Sequence, residues 1–125
     1  MIGKLRGIVD TIETEFMILD VNGVGYKVLC SAATLRNLPS KEEAATLYIE
    51  TMVREDAFNL YGFITQSEQN AFKQLIKVGG VGNKVALAIL GSLTAEQIVH
   101  AVTMQDKSLF QQVSGVGPKM ATRLV

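Results

Sequence analysis

The chain has 125 residues, 48% of them hydrophobic, with no Trp and a formal net charge of zero. Length alone favours one domain, and the apolar content is enough for a globular core. A single cysteine, Cys30, excludes an intrachain disulfide; no apolar signal-like stretch follows MIGKLRG and no run approaches membrane-spanning length, so the chain reads as cytoplasmic.

Up to Phe63 the pattern is β. Ile2 to Ile12 is rich in β-branched residues, Phe16 to Val21 is an apolar strand, and Asn22-Gly23 is a strong hairpin turn into Val24 to Cys30, with a bend expected at Gly25. Ala33 to Leu38 reads as a short helix before Pro39. Ala45 to Val53 is a further strand; Arg54-Glu55-Asp56 turns the chain and Ala57 to Phe63 pairs back. Five short strands in so small a span predict a closed barrel of the OB-fold kind. The acidic turn is, on its own, an ordinary solvated one.

From Thr65 the period becomes helical. Thr65 with Glu68 is a capping box opening a helix to Val78. A second helix runs from Asn83 to Leu90 and stops at Gly91. Thr94 with Gln97 caps a third to Thr103, Asp106 caps a fourth from Lys107 to Val113, and the last begins at Pro118. That helix reaches Val125 in mid-pattern without a C-terminal cap, which suggests a fragment of a longer protein. The expected organisation is α+β with two domains, a barrel over 1–64 and an all-α domain over 65–125.

The helical part contains one segment twice. Residues 75–90, LIKVGGVGNKVALAIL, and 110–125, FQQVSGVGPKMATRLV, are offset by 35 residues and identical at six of 16 positions, among them Val78/Val113, Gly80/Gly115, Val81/Val116, Gly82/Gly117 and Lys84/Lys119. Each copy is a helix, a Gly-Val-Gly connection and a second helix. The valine is expected to plug the gap between the helices while the glycines leave amides bare. Positive φ is expected at the helix stop, Gly79-Gly80, and at Gly82 and Gly117. A lysine in the first turn is disfavoured by the helix dipole unless an anion is awaited there. Arg123 lies one turn beyond Lys119 and is expected to serve the same strand. Charge agrees: residues 1–72 hold six Lys/Arg against ten Asp/Glu, net −4, and residues 73–125 hold six against two, net +4.

Nucleotide binding is the rival phosphate chemistry, and the spacing excludes it. Asn83 and Pro118 precede the lysines and Val85 and Met120 follow them, where a P-loop needs Gly and a hydroxyl; Val85 also replaces the third glycine of a dinucleotide fingerprint. No metal-ligand spacing appears, and no cofactor is implied. Glu13, Glu15 and Asp20 flank an apolar strand and read as solvated, while His100 sits mid-helix without a nucleophilic partner.

The barrel, the tandem hairpins and the segments MIGKLRG, DVNGVGYKV and VREDAFNLYGF together resemble the RuvA family of bacterial Holliday-junction recognition proteins, over the whole chain. The resemblance implies a non-catalytic DNA-binding subunit that forms a homotetramer, or an octamer, around four-way junction DNA. It implies recruitment of the AAA+ ATPase RuvB for branch migration through a third, C-terminal domain that this sequence lacks, and the resolvase RuvC as a further partner. Gly80, Val81, Gly82, Lys84, Gly115, Val116, Gly117 and Lys119, with Arg123, become the DNA-contacting set. Glu55 and Asp56, beside Arg54, become an acidic pin at the junction centre. A helix–hairpin–helix nuclease or glycosylase, which the residues disfavour, and a generic module that recruits other repair factors are the competing readings.

Overall fold

The structure, a computed structural model, describes residues 1–125. The chain divides into two compact units, Met1–Gln69 and Asn70–Val125.

The first unit is a closed five-stranded barrel of OB type, so the chain as a whole is mixed α+β. Its strands are β1 (Lys4–Ile12), β2 (Phe16–Val21), β3 (Val24–Leu29), β4 (Ala44–Val53) and β5 (Phe58–Phe63), with helix α1 (Ala32–Asn37) between β3 and β4. The order around the barrel is β1-β2-β3-β5-β4; β1 pairs with both β2 and β4, and a short parallel pairing of β3 with β5 closes the ring. Period-two alternation decides what lies inside. Ala45, Leu47, Ile49 and Thr51 of β4 are buried while Thr46, Tyr48 and Glu50 between them are only partly so. Val9, Met17, Leu19, Val28 and Leu60 complete the core from the other strands.

The turns follow their chemistry. Asn22 (φ 53°) and Gly23 (φ 91°) are both left-handed, the form a two-residue hairpin prefers, and the Asp20 carboxylate accepts the Gly23 N–H at 2.7 Å. Gly25 is not a bend: β3 runs straight through it, paired with Asp20. Lys27 packs its ammonium 4.5 Å from the centre of the Phe16 ring, a diagonal contact across β2 and β3. Cys30 is buried beneath the sheet, and burial pushes its thiol pKa up to about 12.

The second unit is helical: α2 (Gln66–Ile76, whose first turn lies in the barrel unit), α3 (Asn83–Ser92), α4 (Ala95–Thr103), α5 (Lys107–Gln111) and α6 (Pro118–Leu124). The first turn of α2 belongs with the barrel because Gln69 donates to the Ile49 carbonyl at 3.2 Å and to the Glu50 carboxylate at 3.0 Å, and the Thr34 hydroxyl donates to Glu68 at 3.4 Å. Thr94 and Gln97 form the full capping box, and Asp106 accepts from the Leu109 N–H at 3.2 Å. The Ser108 hydroxyl, and then that N–H, hold the Asp106 carboxyl below its usual range. Several element ends differ from expectation: α2 stops at Ile76 rather than Val78 and α5 at Gln111 rather than Val113, because the chain turns there into each hairpin. α3 continues through Gly91 to Ser92, and the Leu93 N–H closes its last turn on the Ile89 carbonyl. No single helix is long and apolar enough to cross a membrane.

Candidate nucleic-acid interface

The duplicated segment folds twice into one geometry. In the first hairpin the Val78 N–H bonds to the Leu75 carbonyl and the Val81 N–H to the Val78 carbonyl, each at 3.1 Å. In the second, Val113 bonds to Phe110 and Val116 to Val113, also at 3.1 Å. The following helices start alike: Ala86 bonds to Gly82 at 3.0 Å and Ala121 to Gly117 at 2.9 Å. Val81 and Val116 are buried as plugs, with Ala86, Ala121, Ile89 and Leu124 behind them.

The glycines divide their work in a way the spacing did not reveal. Only the first glycine of each Gly-Val-Gly is left-handed, Gly80 at φ +86° and Gly115 at φ +92°. Gly79 does not share that conformation. Gly82 (φ −85°, ψ 174°) and Gly117 (φ −92°, ψ −179°) are extended N-caps that any residue could adopt, and this corrects the expectation of positive φ there. A Cβ at Gly82 or Gly117 would meet nothing within 4 Å, so what glycine provides is open space above the first-turn amides. Neither helix has a side-chain cap on those amides. Lys84 and Lys119 sit exposed in those first turns. Each hairpin thus offers outward N–H groups, a helix dipole and a cation to an approaching anion.

The repeats also clasp each other. The Arg123 guanidinium donates to the Gly79 carbonyl at 3.3 Å, and a Cβ at Gly80 would lie 2.8 Å from its Nη1. A Cβ at Gly115 would lie 3.9 Å from Val85 of α3. Each hairpin therefore packs near the helix that starts the other repeat's second half. Arg123, expected to act beside Lys119, reaches the first hairpin instead. The one hint in the sequence was its partner at the 35-residue offset, Ala88, which has no side chain able to do the same.

The acidic turn is the tip of the β4–β5 hairpin. Arg54 and Ala57 exchange backbone hydrogen bonds of 2.7 and 3.4 Å, so Glu55 and Asp56 form a two-residue loop, exposed with Arg54 beside them. Neither acid has positive φ. Val53 and Phe58, paired below the tip, are 60% and 59% exposed, an apolar collar that the strand pattern did not single out. No group of three His, Cys, Asp or Glu side chains gathers as a metal site, and His100 is exposed on α4.

Comparison with known proteins meets the two units one by one. Residues 1–62 match the RuvA N-terminal domain, and residues 72–125 match a SAM-like helix-hairpin-helix tandem. The chain belongs to the RuvA family. Over all 125 residues it is 53% identical to the Holliday junction branch migration complex subunit RuvA of a Bradyrhizobium species. Proteins of the same description from Sinorhizobium fredii and Xanthobacter autotrophicus are 51% and 49% identical over the same span. The chain spans 61% of the length of these relatives.

Proposed function

We propose that this chain is a non-catalytic DNA-binding subunit that recognises four-way junctions through backbone phosphates and presents them to a motor ATPase for branch migration. The observation that carries the reading is the pair of hairpins with the same backbone hydrogen bonds, each with an open extended glycine over first-turn amides and a lysine two residues on. Gly80, Val81, Gly82 and Lys84 hold one strand, and Gly115, Val116, Gly117 and Lys119 the other, without reading bases. Arg54, Glu55 and Asp56 act at the centre, where carboxylates disfavour a continuous duplex and keep crossing strands apart. In function as in sequence, residues 1–64 form the central domain and 65–125 the arm-binding domain. Assembly as a homotetramer, recruitment of RuvB through a region beyond these two units, and work alongside RuvC follow from the family likeness. The ATPase resides in the partner.

The test is competition binding of a four-way junction against linear duplex of the same sequence, with and without magnesium. Preference for the junction in both conditions, with no strand cleavage, supports the reading. Magnesium-dependent cleavage would convert the chain into a nuclease, and equal affinity for both DNAs would reduce it to a general adaptor.

A further inference from the structure

The repeat is symmetric in backbone but not in charge. At the 35-residue offset Lys84 matches Lys119, yet Lys77 matches Gln112 and Arg123 matches Ala88. Arg123 does not stay with its own hairpin. Its guanidinium crosses to the first one and donates to the Gly79 carbonyl at 3.3 Å, lying against the left-handed Gly80. The second hairpin differs: a Cβ on Gly115 would meet the Val85 methyl at 3.9 Å, where one on Gly80 would meet the Arg123 guanidinium. A guanidinium has five N–H donors in a rigid fork, and one directed at Gly79 leaves others for an anion in the same cradle.

We propose that Arg123 is a positioning residue that locks the first hairpin and lends it a second cation, so that the two hairpins are unequal. The first is a preformed, doubly charged anchor flanked by Lys84 and Arg123. The second, with Lys119 alone, is the weaker and more adaptable contact. The backbone part of this inference stands independently of DNA; the anion part rests on the reading given under Proposed function.

Two measurements test it. The first is amide hydrogen exchange on the DNA-free chain. Arg123→Ala should speed exchange of the Val81 N–H at least fivefold while its counterpart, the Val116 N–H, changes less than twofold. Arg123→Lys, which keeps a charge but loses the planar fork, should fall between. Equal acceleration at both valines, or none at Val81, would overturn the clamp, since a merely structural loss would loosen the whole unit.

The second is a pair of double-mutant cycles on junction binding. Groups serving one phosphate are non-additive and separated groups are not. Arg123→Ala should therefore couple with Lys84→Ala by about threefold or more, and multiply independently with Lys119→Ala. Coupling with Lys119 instead would restore the same-helix pairing and refute the unequal hairpins. Failure of the wild-type chain to bind the junction would sink the DNA reading alone, and the exchange result would still decide the clamp.

Discussion

The division of labour among the hairpin glycines gives the most discriminating perturbation. Gly80→Ala places a Cβ at φ +86°, a conformation costing an L-residue about 1–2 kcal/mol. The same Cβ comes to 2.8 Å from the Arg123 guanidinium, which must swing away and give up its bond to Gly79. That bond is exposed, so its loss adds no more than about 0.5 kcal/mol. The sum is about 2 kcal/mol, which at a slope of about 2 kcal/mol per molar urea lowers the midpoint by about 1 M. Gly115→Ala pays the backbone part without the clash, for a smaller drop. Gly82→Ser is the opposite case. Its φ of −85° and ψ of 174° suit a serine N-cap, and the space is open, so stability should rise by a few tenths of a kcal/mol or stay level. The new hydroxyl would occupy the first-turn amides on which the proposed phosphate sits, so junction affinity should fall about tenfold although the fold is intact. Urea unfolding followed by far-UV circular dichroism, beside anisotropy titrations of a labelled junction, reads both effects. If Gly80→Ala and Gly82→Ser shifted the midpoint alike, or if Gly82→Ser bound the junction as tightly as wild type, the argument from glycine geometry would fail.

Lys84→Ala and Lys119→Ala should each weaken junction binding and reduce the slope of log K against log salt by about one; a double variant with unchanged affinity across salt concentrations would remove the hairpins from the interface. Glu55→Gln with Asp56→Asn should keep the fold, because the Arg54–Ala57 backbone pair holds the turn, and should bind DNA at least as tightly while discriminating less between junction and duplex. Competition binding decides it, and an unchanged ratio returns the acids to an ordinary solvated tip. The buried Cys30 thiol keeps its proton to about pH 12 when folded, against 9.0 for the ordinary group, so the unfolded chain releases that proton first. Stability from this source is therefore complete below pH 9 and falls as the pH rises from there towards 12. Urea midpoints at pH 8 and pH 10.5 should fall further for wild type than for Cys30→Ala, and an equal fall would assign the pH dependence to other groups.

Much of the molecule was legible because its signals are local. The alternation of Ala45, Leu47 and Ile49, the Asn22-Gly23 turn, the Thr65 hydroxyl that caps the Glu68 N–H and the capping box at Thr94 each act within a few residues, where a strand's period of two or a cap's span of three operates. The duplicated Gly-Val-Gly was likewise visible, since a repeat in sequence becomes a repeat in backbone whenever both copies meet the same surroundings. Helix ends were less legible. Gly91 reads as a stop, yet α3 passes through it, because a glycine inside a helix costs only about 1 kcal/mol and packing of Ile89, Leu90 and Leu93 outweighs that.

What only the tertiary structure decided concerns partners far apart along the chain. Gln69 is assigned to the barrel by hydrogen bonds to Ile49 and Glu50, which no helical period encodes. Which glycine of each hairpin turns left-handed depends on how the chain must re-enter the next helix, so identical residues two apart play different parts. Arg123 sits one turn from Lys119 in sequence but spends its hydrogen bond 44 residues away on Gly79, because the two repeats fold back on each other and a long flexible side chain takes the carbonyl it can reach. The sequence by itself determined a barrel, two matched hairpins and their charges; closure of one repeat upon the other determined that Arg123 lies against the first hairpin.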